Sequence, residues 1–235
     1  MVLDDGYGGV DPGGGWYVMV LGSCETPPAP WINVIADPGF GTMGSEAGVG
    51  CTWALNSHEN RLTTWNNDAV SDGSGEMLYV RDEETGEFWS PTPLPMHDDA
   101  PYVARHGHGY STFEHTCHGI GHHLTWFVPP NEPVRVARLR LENLTGEPRR
   151  LSITQFVEWV LGDSRSGANQ RVVTRYDTEG GMLTAHSWMN DDFPGRVAFL
   201  ACDRKPCAYT ASRTEFLGRN GAPADPAARH GRARA

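Results

Sequence analysis

The chain has 235 residues, is rich in Gly (28) and Pro (17), and carries a formal charge of −10. A chain of this length hides roughly 70–75% of its unfolded surface and needs no disulfide or metal staple. Its acidic balance argues against a nucleic-acid partner, which asks for a basic face.

The opening stretch "MVLDDGYGGVDPGGGW" has neither a basic n-region nor an apolar h-region, so no signal peptide is expected. No run nears the ~20 apolar residues of a membrane helix. Five cysteines (24, 51, 117, 202, 207) without a CxxC pair read as free thiols in a reducing compartment.

Taken in chain order, the pattern is strand after strand. "WYVMVL" (16–21) is aromatic and β-branched between glycines, the mark of a buried strand. "MLYVRD" (77–82) and "EFWS" (87–90) flank "EETG", where Gly86 can take positive φ, and predict a hairpin. "VRVARLRLEN" (134–143) alternates from Ala137, with Leu139 and Leu141 inward and Arg138, Arg140 and Glu142 outward. A slip by one at Val136 suggests a bulge. After the turn "LTGEP", "RRLSITQFVEWVLG" (149–162) reads as one long strand with Leu151, Ile153, Val157, Trp159 and Leu161 on a common face. Apolar runs at 181–188 and 195–203 come next, and no helix-length pattern with caps appears before residue 220. Residues 222–235, Pro/Ala/Arg-rich, read as a linker or frayed tail behind a single domain over 1–221. Long strands and frequent turns suit an all-β sandwich of large antiparallel sheets.

Candidate chemistry sits in three places. "NRLTTWNND" (60–68) is poor in aliphatics and suits a surface loop. Arg61 offers a fork of donors, Asn60, Asn66 and Asn67 offer amides, and Trp65 offers a flat face for a sugar ring. A Trp that merely pins a loop remains open as an alternative. The other tryptophans (31, 53, 89, 126, 159, 188) are expected in the core. Asp68, Asp72 and Glu76 could supply a catalytic acid, but acids in so turn-rich a stretch more often cap turns. "RHGHGYSTFEHTCHGIGHH" (105–123) holds six of the ten histidines. His106 and His108 would share one face of a strand, yet the interleaved glycines favour sugar contact or structural hydrogen bonding over a metal. Arg105, His106 and Tyr110 are its candidate contact residues, and no structural metal is expected.

Several long blocks resemble glycoside hydrolase family 94, formerly glycosyltransferase family 36. They are "PAPWINVIADPGFGTMGSEAGVGCTWALNSHENRLTTWNNDAVSD", "GEMLYVRDEETGEFWSPTPLP", "YVARHGHGYSTFEH", "GIGHHLTWFVP", "RRLSITQFVEWVLG", "NDDFPGRVAFLA" and "RTEFLGRNG". Within the family the wording is most similar to the phosphorylase-like region of cyclic β-1,2-glucan synthases. The sequence departs from the family pattern at His58, Thr64 and Ala211-Ser212.

The resemblance implies a β-supersandwich of the galactose mutarotase-like kind, succeeded in the family by an (α/α)6 barrel that carries the catalytic Asp and the phosphate site. The barrel pattern does not appear in these residues, so no residue here inherits the acid's role, and the chain alone is expected to be inactive. Implied partners are a β-glucan oligosaccharide or glucose-type sugar, the barrel, and a second copy in a homodimer. Inorganic phosphate would be the co-substrate, with no resident cofactor. The location implied is cytoplasmic, free or tethered to the inner membrane through a longer parent protein. The alternatives are a stand-alone carbohydrate-binding or assembly module and a mutarotase-like enzyme using a His with a carboxylate base.

Overall fold

A computed structural model describes residues 4–229, apart from residues 24, 67, 69, 71, 72 and 74 and the side chain at 169. Among them the strands, in chain order, are β1 (Gly8–Val10), β2 (Trp16–Leu21), β3 (Ile32–Asp37), β4 (Phe40–Ser45), β5 (Gly50–Ala54), β6 (Arg61–Thr63), β7 (Glu76–Asp82) and β8 (Phe88–Trp89). Then come β9 (Tyr102–Gly107), β10 (Tyr110–Cys117), β11 (Ile120–Phe127), β12 (Val136–Asn143), β13 (Leu151–Val157), β14 (Trp159–Gly162), β15 (Val172–Asp177), β16 (Met182–Ser187) and β17 (Ala198–Leu200). Two short helices, α1 (Ala168–Arg171) and α2 (Arg213–Leu217), complete the set with one 3-10 turn, Ala227–Arg229.

The strands form a six-stranded sheet β1-β2-β9-β10-β11-β12, a five-stranded sheet β14-β6-β5-β4-β3, and three-stranded sheets β13-β7-β8 and β15-β16-β17. Every pairing is antiparallel. The all-β expectation holds.

The six-stranded sheet buries alternate residues, because side chains on a strand point to opposite faces in turn. Met19, Ala104, Phe113, Leu124 and Trp126 make the resulting cluster, with Leu139 against it. The five-stranded sheet packs on this face. A Cβ at Gly44 of β4 would stand 2.6 Å from the Trp126 ring, so only glycine admits the indole there. Asn33 of β3 ties the layers by donating to the carbonyls of Gly107 and Tyr110 at 3.0 and 2.9 Å.

The 77–90 hairpin forms as expected, with Gly86 at φ +77°. Four expectations need correction. β2 is half-buried, not buried: Trp16 and Val20 are 41% and 50% exposed on its outer face. β12 pairs with β11 in continuous register through Phe127↔Val136, without a bulge. The long strand at 149–162 is two strands in different sheets, β13 on β7 and β14 on β6, and Ile153 is exposed. The break falls at Glu158, whose carboxylate holds Arg165 and Arg213 at 2.9 Å each.

The fourth correction concerns the C-terminal part. α2, only five residues long, is capped: Ser212 Oγ accepts the Glu215 amide, one half of a capping box. Its Phe216 and Leu217 are buried against Met77, Tyr79 and Phe156. The stretch beyond 221 runs along the same surface as far as residue 229. The Tyr79 hydroxyl donates to the Pro223 carbonyl at 3.0 Å, and Pro226 is buried.

Candidate functional site

The segment 60–66 is more structural than its composition suggests. Arg61–Thr63 is β6, held between β5 and β14, not a loop. Asn60 is buried, and its amide donates to Ala54 O at 2.9 Å. Arg61 donates from Nε to Ser57 O at 3.1 Å and from a terminal nitrogen to Trp65 O at 3.3 Å. It thereby fixes the bend that carries Trp65. Asp68 accepts the Val70 amide at 3.0 Å, a turn-capping bond. Asn67 and Asp72 lie outside the described residues.

Arg61, Thr64, Trp65 and Asn66 still line one cleft, of about 240 Å³, whose opposite wall is Val160, Asp163, Ser164 and Arg165. That wall comes from β14 and its exit. The pairing of β14 with β6 shifts between Trp159 and Gly162, and Leu161 takes φ +49° there. Such a bulge bends a strand and re-aims the residues beyond it. Two guanidinium groups, a half-buried indole and an Asp thus surround one concavity, a mix that suits polyhydroxylated ligands.

Glu76 stands apart from this cleft. It is buried, accepts Thr52 Oγ1 at 2.6 Å and Thr63 Oγ1 at 2.8 Å, and is ion-paired with Arg135. Arg135 in turn lies 4.1 Å from the centre of the Trp126 ring. This carboxylate joins sheets and does not reach solvent chemistry.

Arg105, His106 and Tyr110 form a separate group on the six-stranded sheet. Arg105 pairs with Glu114 at 2.7 Å and lies over Trp16. Tyr110 OH accepts the Trp16 indole N–H. His106 lies 3.1 Å from Trp31 O and 2.9 Å from Ser111 Oγ. Its Nε2 therefore donates and its Nδ1 accepts, as in a neutral ring, and burial holds its pKa below the ordinary value. All three serve the sheet's own hydrogen bonding, and no described contact links them to the Trp65 cleft.

The expected His106–His108 pair does not share a strand, since β9 ends at Gly107. Among the described residues, the donors that do converge are Asp98, Cys117 and His118, within 4.8 Å of one another. They are already engaged. Asp98 accepts the Ala100 amide at 2.7 Å and faces His115 Nε2 at 2.8 Å, while His118 Nδ1 faces Glu87 at 3.1 Å. Burial, reinforced by the Asp98 charge, pushes the Cys117 thiol pKa up, which disfavours a thiolate ligand. The Asp98–His115 pair has the composition a mutarotase-like base would need. The His115 side chain, however, is 0% exposed and cannot meet a sugar.

One residue defies its expected place. Trp188 is 63% exposed and lines a second cleft, of about 260 Å³, with His186, Asn190, Asp191 and Arg196. The signal was legible: "SWMNDD" repeats the Trp-beside-Asn/Asp composition of "TTWNND". Trp16, at 41%, is the other exposed indole.

Comparison with known proteins agrees with this architecture. Residues 15–234 match the family model described as glycosyl hydrolase 94, supersandwich domain. The chain is 38% identical over 218 residues to a cyclic beta-(1,2)-glucan synthase of Rhizobium meliloti (strain 1021), covering 92% of this chain and 8% of that protein. It is 32% identical over 199 residues to an N,N'-diacetylchitobiose phosphorylase of Vibrio furnissii, covering 81% and 25%. A solabiose phosphorylase of Paenibacillus borealis is 33% identical over 156 residues, covering 63% and 20%. The chain therefore spans a quarter or less of each of these relatives. With a family match over nearly its whole length, the chain belongs to the glycosyl hydrolase 94 family and comprises its supersandwich domain.

Proposed function

We propose that this domain is the non-catalytic, sugar-facing module of a β-glucan phosphorylase or cyclic β-1,2-glucan synthase, and that the Trp65 cleft is the part of the substrate site it supplies. The observation that carries this reading is the convergence of Arg61, Trp65, Asp163 and Arg165 on one concavity. An indole can stack on a pyranose while guanidinium and carboxylate groups bind its hydroxyls. The names of the relatives give the substrate class its support. Catalysis falls to an (α/α)6 barrel against which this face would pack, with inorganic phosphate as co-substrate of the longer enzyme and a second copy completing a dimer. A half-site of this kind binds sugar weakly by itself. A few contacts without enclosure correspond to millimolar affinity, about −4 kcal/mol.

Two experiments test the proposal. The isolated chain, given β-1,2-glucan or cellobiose with phosphate, should release no glucose 1-phosphate above a heat-killed control; clear turnover would overturn the non-catalytic assignment. In a protein that carries the barrel, Arg61→Ala with Trp65→Ala should abolish activity or dimerisation at an unchanged melting temperature. Wild-type activity, or simple unfolding, would show that Arg61 and Trp65 serve only the local fold.

A further inference from the structure

The Trp188 cleft is joined to the Trp65 cleft by two direct ties. Asn190 Nδ2 donates to Asn60 Oδ1 and to Leu161 O, both at 3.2 Å. Asn60 adjoins Arg61, and Leu161 adjoins Val160, so both acceptors sit directly behind lining residues of the Trp65 cleft. The left-handed turn at Leu161 belongs to the same bulge that shapes that wall. Arg171 makes the second tie. Its backbone carbonyl accepts the Trp188 amide at 3.3 Å, while its guanidinium donates to Ser164 O at 2.5 Å and lies 3.6 Å from Asp163. Asn190 and Arg171 thus tie the two concavities together.

The Trp188 cleft also holds a fixed indole beside polar side chains. The indole N–H donates to Gln170 O at 3.3 Å, which fixes the ring while the residue stays 63% exposed. A rigid, open aromatic platform costs little further ordering on binding. Around it, the side chains of His186, Asp191 and Arg196 make no hydrogen bond or ion pair with any described residue. Ser187 Oγ, also in the lining, is buried with no hydrogen-bond partner among the described residues.

We infer that the Trp188 cleft is a second sugar subsite, continuous with the Trp65 cleft, so that this face holds a linear β-linked gluco-oligosaccharide and not a single glucosyl unit. The inference rests on the sugar-facing reading of the Trp65 cleft. Linking two weak subsites on one ligand makes the second contact intramolecular and raises affinity with chain length.

The test is a titration of the 15N-labelled chain with β-1,2-linked gluco-oligosaccharides of two and of eight units, tracking the indole N–H signals assigned by Trp65→Phe and Trp188→Phe. The disaccharide should move the Trp65 signal. The octasaccharide should move both, with a Kd roughly tenfold lower, as expected when two linked sites act together. Trp188→Ala should remove that gain. Arg196→Ala, which breaks no described hydrogen bond, should reduce it without disturbing the 188–197 loop. An octasaccharide that moves Trp65 but leaves Trp188 unmoved, or a gain that survives both substitutions, would overturn this inference and leave the proposed function standing. Movement of Trp188 alone would remove the Trp65 reading and the continuity with it. No movement of either signal would overturn both.

Discussion

Glu76 and Arg135 form a buried ion pair that joins β7 to the segment entering β12, and each partner contacts a different sheet. Glu76 also accepts Thr52 and Thr63 from the five-stranded sheet, while Arg135 lies against Trp126 of the six-stranded one. Burial lowers the Arg135 pKa to about 10, still far above neutrality, so the charge persists. Removing one partner leaves a buried charge uncompensated. Glu76→Ala should therefore destabilise the domain by roughly 3–5 kcal/mol. Glu76→Leu with Arg135→Met should recover most of that loss. Urea denaturation of these variants beside the parent checks both points, and a single-variant loss below about 1 kcal/mol, the size of an exposed pair, would refute the structural role.

His122 predicts a specific acid sensitivity. Its Nε2 accepts the Trp89 indole N–H at 2.7 Å and its Nδ1 donates to His115 O at 3.2 Å, so the ring is held neutral. Burial is the main cause that pushes its pKa down from 6.5 to about 4. In that window the unfolded chain binds a proton that the folded chain refuses, so stability falls as pH drops from 6.5 to 4. The loss is roughly 3 kcal/mol over the window. His106, lowered in the same direction by burial, adds to it. Asp82 and Asp98, both held below 3.8, contribute only at lower pH. Stability measured from pH 7 to 4 should slope accordingly, and His122→Gln should flatten the slope.

Gly44→Ala should destabilise by about 1–3 kcal/mol, because the new methyl meets the Trp126 ring at 2.6 Å in a close-packed layer. Gly44→Ala with Trp126→Leu should relieve the clash but lose the ring's contact with Arg135, so the double variant should not regain the parent's stability. Melting temperatures of the two variants and the parent check this. A Gly44→Ala variant as stable as the parent would contradict the described packing of the two sheets.

Purified, dialysed protein should hold far less than one equivalent of zinc. Asp98 and His118 already face hydrogen-bond partners, and the Cys117 thiol is raised, so a metal would have to displace an existing network. Elemental analysis decides this. Near-stoichiometric zinc, lost in Cys117→Ser or His118→Ala, would show that these donors form a metal site.

The all-β class, the 77–90 hairpin and the inward Leu139 and Leu141 are legible in the sequence alone. Each has a local cause: period-two alternation, or a turn residue able to take positive φ. Tertiary structure decided the rest. The alternation puts Leu151, Ile153, Val157, Trp159 and Leu161 on one face of one strand, yet the chain changes sheets at Glu158, because apolar patterning names a face and not the strand that will cover it. Asn60 looked like a ligand-binding amide and became a buried strut, since Ala54 and Asn190 reach it first. Trp188 looked like core and became surface, because among the described residues no layer covers its ring. Whether a polar or aromatic side chain meets solvent, a ligand or another strand depends on partners that are distant in sequence. Only the assembled sheets brought residues 60–66 and 160–165 around one cleft, with Asn190 bonded behind both.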